Sequence, residues 1–265
     1  MNRSIQERAF FKVLEDLRHY LPYLVIVGGW VPYLYRNYLW KGEADNPYLT
    51  ADIDIGIRTK IENFQQTSIY KRFVELQYSE RHLSMGKAYP IVPEVRLTKN
   101  AVPIPVEFIS RKDASEDYLR RLVGSEILVN KLEYFEIILE NVMKIKIKRK
   151  TASMEIFIPC PENYIFHKLL TFPLRPDQIK MRKDLYYVYY ILRFIPNPAS
   201  LLRDISKFKQ RPECKTVREN VDRFFSNSLS EGVLLVADEF GPDARVKDIR
   251  EHILGIFQGL RAVLS

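Results

Sequence analysis

The spacing of apolar positions changes several times along the chain, and each change marks an element. Phe10, Phe11, Val13, Leu14 and Leu17 recur at helical spacing within residues 4–19, predicting an amphipathic helix that Pro22 closes. Leu24-Val25-Ile26-Val27 is a short apolar run ending at Gly28-Gly29, as a buried strand does where it stops at a tight turn. Trp30 to Leu39 predicts a helix with Pro32 in its first turn, and Trp40 to Pro47 reads as a loop. The period then drops to two. In Thr50 to Ile57, the side chains of Ile53, Ile55 and Ile57 point to one face of a strand, and those of Asp52 and Asp54 to the other.

Further along, residues 61–78 predict a helix marked by Phe64, Ile69, Phe73 and Leu76, and Pro90 to Leu97 an extended segment. Pro103 to Ile109 alternates again, with Ile104, Val106 and Phe108 facing one way and Glu107 the other. Its two prolines, which donate nothing to a ladder, also suit an exposed edge strand. Leu128 to Pro159 predicts β structure, with strands over Leu132 to Ile138 and over Met154 to Ile158. Between them Lys144 to Lys150 alternates basic and apolar residues. The composition shifts at Pro159-Cys160-Pro161, and helices follow. One starts at Pro161. Another runs from Asp177 to Phe194 on a stripe of Met181, Leu185, Val188 and Leu192, with Asp184 at its border. Val217–Phe225 and Asp248–Val263 read as packing helices.

A chain of 265 residues suits one large or two modest domains. Its 41 basic and 33 acidic residues give a net charge of +8, which suits a phosphate-rich partner but speaks to association and not to fold. Cys160 and Cys214 have neither zinc spacing nor a disulfide framework, which suits a reduced, cytoplasmic setting. The first eight residues carry no apolar signal region, and nothing later approaches ~20 consecutive apolar residues, so a soluble protein without membrane contact is expected.

The strand carrying Asp52 and Asp54 is the strongest chemical signal. Two residues apart on one face, their Cα atoms would lie roughly 6.5 Å apart. Carboxylates so placed can converge on a pair of divalent ions about 3.5–4 Å apart, the spacing used for in-line phosphoryl chemistry. Like charges on a buried strand are costly unless a cation neutralises them. An isolated Asp-x-Asp is also an ordinary polar strand face, and an isolated Gly-Gly an ordinary turn. A helix opening after Gly29 would aim N–H groups and its dipole at an anion such as a triphosphate, or simply at water. A strand over Lys144, Lys146 and Lys148 would present a basic strip to a polynucleotide, or protect a sheet edge from aggregation.

Val27-Gly28-Gly29 followed by Asp52-Ile53-Asp54-Ile55 resembles the nucleotidyltransferase superfamily that includes DNA polymerase β and the aminoglycoside nucleotidyltransferases. The spacer is longer than that pattern's, with the excess in Trp40 to Pro47. The resemblance implies an α+β fold, a mixed sheet flanked by helices over residues 1–160, joined to a helical C-terminal domain over residues 161–265. It implies transfer of NMP from an NTP to an acceptor hydroxyl, with Asp52 and Asp54 holding two Mg²⁺ ions (Mn²⁺ would also serve). Glu107 would be the third carboxylate, both metal ligand and general base, and Gly28 and Gly29 would cradle phosphates. Lys168-Leu169 and Arg182-Lys183-Asp184-Leu185 resemble the AbiEii and MenT branch of nucleotidyltransferase toxins. That branch implies a nucleotide pocket including Lys168, Asp184 and Arg182, an RNA acceptor such as the tRNA 3′ end, and a cognate antitoxin protein. Lys168 and Asp184 also read as a plain structural ion pair. A small-molecule nucleotidyltransferase of the aminoglycoside kind, a protein-modifying one, and an inactive nucleotide- or RNA-binding module share much of this pattern.

Overall fold

The computed structural model describes residues 3–40, 46–58, 66–83, 89–98, 101–149, 153–240 and 246–265. The chain divides into two units, residues 1–39 with 48–159, and residues 40–47 with 160–265. The first unit is of the α+β class. Its elements are α1 (Arg3–Asp16), β1 (Leu24–Ile26), α2 (Trp30–Leu34), β2 (Ile53–Ile57), α3 (Ile69–Glu75), β3 (Ser79–His82), β4 (Ile91–Val95) and β5 (Ile104–Arg111). After these come α4 (Glu116–Leu122), β6 (Val129–Leu132), α5 (Phe135–Glu140), β7 (Val142–Lys148) and β8 (Ser153–Pro159). The helix α2 widens into a π-helical turn over Tyr35–Trp40.

Six strands form one mixed sheet in the order β1-β2-β5-β4-β3, with β6 also on β5. The strand β2 is antiparallel to β1 and parallel to β5, which is antiparallel to β4 and parallel to β6. The strands β4 and β6 share one edge of β5, since β4 meets Ile104 and Pro105 while β6 meets Phe108 to Arg111. So β5 is central, and not the edge strand that its prolines also suited. Pro105 sits where β4 ends, so its missing donor does not interrupt a long ladder.

The alternation in β2 and β5 gives the sheet two unlike faces. One carries Ile53, Ile55, Val106 and Phe108, all buried, with Phe73 of α3 centred 6.3 Å from Phe108. On the other, Phe135 and Ile138 of α5 pack with Val25 and Val27, and Ile109, Val142 and Phe157 close around them. The residues expected as a strand over Leu132 to Ile138 therefore need correcting: β6 ends at Leu132 and α5 follows. Tyr134 adopts left-handed backbone (φ 61°), which breaks the extended run, and one helical turn then buries Phe135, Ile137 and Ile138 together. Of the helix expected over 61–78, only Ile69–Glu75 forms α3. Among the described residues, 66–68 precede it without helix and Leu76 ends it, with Ser68 as its cap, whose hydroxyl accepts from the Lys71 amide. Phe64, and Lys41 to Asp45 of the expected loop, lie outside the described residues.

The second unit is helical: α6 (Pro161–Thr171), α7 (Gln178–Phe194), α8 (Pro198–Ser206), α9 (Glu213–Phe224), α10 (Glu231–Ala237) and α11 (Val246–Leu264). Pro161 opens α6, where a missing amide costs nothing, and the Asp177 carboxylate caps α7 by accepting from the Lys180 amide at 2.8 Å. Aromatic pairs fill its core, including Phe166 on Phe208 and Phe225 on Phe257, both stacked. Among the described residues no helix is long and apolar enough to cross a membrane.

Gly56, on β2, lies under the Phe135 ring, and a Cβ there would come within 2.8 Å of Phe135 Cζ. Gly56→Ala is therefore expected to destabilise the protein by about 1–3 kcal/mol, the usual scale for overpacking. Combining it with Phe135→Leu should return part of that loss, a coupling of about 1 kcal/mol measured by urea unfolding of the single and double variants.

Candidate active site

The site is built where β1 hands over to α2. The β1–β2 ladder is extended by one bond, from the Val27 amide to the Asp54 carbonyl at 3.1 Å. Gly28 then turns the chain with φ +65°, a conformation that side chains with a Cβ rarely adopt. A Cβ on Gly28 would also lie 1.9 Å from Asp54 Oδ2. The Asp54 carboxylate thus lies directly against the turn, and only glycine leaves room for it. Gly29 has ordinary right-handed backbone (φ −74°, ψ −10°) and precedes Trp30, the first residue of α2.

Asp52 lies in the bend leading into β2, and its backbone is held twice. The Trp30 indole N–H and the Thr50 hydroxyl both donate to its carbonyl at 2.9 Å. Trp30 is itself fixed by stacking on Phe10 at 4.1 Å, and the Gln6 amide donates to the Thr50 carbonyl at 3.0 Å. Side chains of the first helix thereby set where the Asp52–Asp54 segment enters the sheet.

The parallel β2–β5 register places Asp54 opposite Glu107. Both are half-buried, while their neighbours Ile53, Ile55, Val106 and Phe108 are buried on the other face. Arg81 on β3 approaches the same face, its Nη2 3.8 Å from Glu107 Oε1 and its Nε 3.7 Å from Glu94 Oε1. Among the described residues, no three His, Cys, Asp or Glu side chains gather closely enough to hold a metal ion. Asp54 and Glu107 are brought together, and Asp52 stands just before them.

The residues expected in a nucleotide pocket lie in the second unit. Lys168 of α6 donates to Asp184 Oδ1, and Arg175 donates to Asp184 Oδ2 at 2.6 Å. Burial alone would push the Asp184 carboxyl up, but the two cations hold it below the usual carboxylate range. His167 beside them is driven down to about 3 by burial and by the positive charge of Lys168, so it stays neutral at ordinary pH. Arg182 does not join this group; its guanidinium pairs with Glu239 at 2.6 Å. Lys144, Lys146 and Lys148 do share the exposed face of β7, where Lys144 also meets Glu155 at 3.2 Å.

Arg81, Glu94 and Arg175 were not singled out in the sequence. Arg81 lies in Ser-Glu-Arg-His, a strand without apolar alternation, and Arg175 in a Pro-rich connection, so neither has a periodic signal.

A sequence profile described as Nucleotidyltransferase matches residues 9–204. A solved structure described as an antigenic nucleotidyltransferase-like protein from Paracoccidioides brasiliensis is similar over 79% of this chain and 92% of its own, at 13% identity and a TM-score of 0.41. No curated protein sequence matches.

Two outcomes follow from this geometry. Gly28→Ala should lower stability by about 1–3 kcal/mol through the strained φ and displace the Asp54 carboxylate. Circular dichroism should show retained secondary structure, and thermal melting a lower midpoint. The second concerns His167. Its folded value of about 3 lies below its ordinary 6.5, so the unfolded chain takes up the proton first as pH falls. The associated stability is complete above pH 6.5 and lost as pH falls towards 3, at up to about 1.4 kcal/mol per pH unit. Asp184, also held low, adds a loss in the same direction at the acidic end. Urea unfolding between about pH 7 and pH 5 should show a shallower slope for His167→Gln than for the parent.

Proposed function

This chain belongs to the nucleotidyltransferase family, and from that premise we propose that it moves NMP from an NTP to an acceptor hydroxyl, with pyrophosphate leaving. The observation that carries the site assignment is the placement of Asp54, opposite Glu107 on parallel strands and against the Gly28 turn.

The donors are carboxylates, the chemistry that suits a hard divalent cation, and like charges directly opposite on neighbouring strands are destabilising until neutralised. Asp54 and Glu107 are the pair already together, and Asp52 would have to close on them from the bend before β2. Asp52, Asp54 and Glu107 would hold two Mg²⁺ ions (or Mn²⁺), which supply charge neutralisation at the transferring phosphoryl group and a more acidic acceptor hydroxyl. Glu107, half-buried beside Asp54, takes the proton of that hydroxyl as general base. The Gly28-Gly29 turn, without side chains, lets backbone amides approach the phosphates closely. Asp52 is oriented by the carbonyl anchors from Trp30 and Thr50.

The toxin-branch reading adds Lys168 and Asp184 as nucleotide-pocket residues. In the second unit Lys168 and Arg175 together outweigh Asp184 in charge, which suits a phosphate. Arg182, engaged by Glu239, has the weaker part in this reading. RNA is the acceptor favoured by the net charge of +8 and by the exposed lysines of β7, with the 3′ end of tRNA as the target and an antitoxin as the protein partner.

The test is incubation with each α-labelled NTP, Mg²⁺ and total RNA, in parallel with an aminoglycoside panel and a cell lysate. Label on RNA is expected, lost with Asp52→Asn and reduced at least ~10²-fold in turnover with Glu107→Gln. Label only on small molecules or on protein would refute the RNA acceptor and leave the transfer chemistry standing. No label on any acceptor would refute the transferase reading.

A further inference from the structure

Arg81 belongs to no motif, yet the sheet delivers it to the carboxylates. The β3–β4 register pairs Ser79 with Glu94 and Arg81 with Val92, and β4–β5 pairs Glu94 with Pro105. Cross-strand partners share a face, so Arg81, Glu94, Glu107 and Asp54 all lie on one side of the sheet. The guanidinium stands 3.7 Å from Glu94 and 3.8 Å from Glu107 through different nitrogens. Both are loose ion pairs, longer than direct hydrogen bonds. One cation is divided between two anions. The two anions are unequal: the Glu94 side chain is 14% exposed and that of Glu107 31%.

Resting on the reading of Glu107 as a metal-holding carboxylate, we propose that Arg81 is a positioning residue that competes with the divalent cation for Glu107. Glu94 sets the strength of that competition by holding the other side of the guanidinium. Charge and burial dictate the direction. A carboxylate beside a guanidinium attracts a second cation less, so removing Arg81 makes Glu107 a better ligand. Glu94 is the more buried partner and loses more by giving up its counter-charge, so it retains Arg81 when Glu107 turns to the metal. Removing Glu94 hands Arg81 wholly to Glu107 and weakens the metal site. Two substitutions on neighbouring strands therefore act with opposite sign, although neither residue touches the metal.

The experiment is a Mn²⁺ titration of the full chain without nucleotide, read by the electron paramagnetic resonance signal of free Mn²⁺. Arg81→Gln should tighten binding about fivefold and Glu94→Gln weaken it about fivefold, at the lower end of usual coupling between sites. The double variant should match Arg81→Gln, because Glu94 acts through Arg81. Arg81→Lys, which keeps the charge but not the fork that reaches both carboxylates, should fall between the parent and Arg81→Gln. If the two effects cancel in the double variant, they are independent long-range charge effects and the coupling is refuted. Unchanged or weaker binding in Arg81→Gln refutes it as well. If the parent binds Mn²⁺ but Asp54→Asn and Glu107→Gln bind equally well, the metal site itself is refuted, a result distinct from failure of the Arg81 coupling alone. No Mn²⁺ binding by the parent overturns both.

Discussion

Two carboxylates held directly opposite each other on parallel strands are the constraint around which the first unit is arranged. Strands in a sheet lie about 4.8 Å apart, so the register of Asp54 with Glu107 fixes their closeness whatever their rotamers. Stability alone would not select it, because like charges opposite one another are unfavourable. Much of the surrounding structure supports this pair. Gly28 gives up a side chain so that Asp54 can lie on the turn, and the Trp30 and Thr50 hydrogen bonds fix the backbone that enters β2. Buried isoleucines and Phe108 on the reverse face prevent a one-residue slip, which would carry the carboxylates into the core.

The second unit treats charge differently. There one carboxylate, Asp184, is closed off from water and shared by Lys168 and Arg175, with a neutral His167 alongside. Removing Asp184 alone would leave Lys168 buried beside Arg175 without its counter-charge, and buried unpaired charge is among the costliest defects a core can carry. Such a cluster tolerates change only when its members change together. A carboxylate at that position is thus strongly held by structure, whatever further role it has.

Sequence made the catalytic-looking strand legible because its two periods coincide. The alternation of Ile53, Ile55 and Ile57 with Asp52 and Asp54 specifies a half-buried strand, and the same residues carry the chemistry. Glu107 was legible for the same reason. What alternation cannot give is a neighbour: nothing in Pro103 to Ile109 states that β2 lies beside it in parallel, so the central place of β5 had to come from the structure. Leu132 to Ile138 went wrong because a short apolar run fits a strand or one helical turn equally well, and the left-handed Tyr134 has no periodic signature. The strand β3 was invisible because Ser79 to His82 is polar throughout, as an edge often is, and Arg81 was lost with it. The pairing of Lys168 with Asp184 was legible as an ion pair; Arg175, the third member, was not.

The parallel pairing of β2 with β5 also has a kinetic side. Ile53 finds Val106 only after more than fifty intervening residues have been made and ordered, including α3, β3 and β4. Contacts this distant in sequence form slowly, because the loop must close before the pairing repays it. On a ribosome, β1, the glycine turn and the Asp52–Asp54 strand emerge well before β5. During synthesis, the carboxylate pair therefore cannot exist until β5, as far as Arg111, has left the exit tunnel. The two carboxylates thus come from strands that emerge far apart in time, and β6, α5, β7 and β8 of the same unit have still to follow when they can first meet.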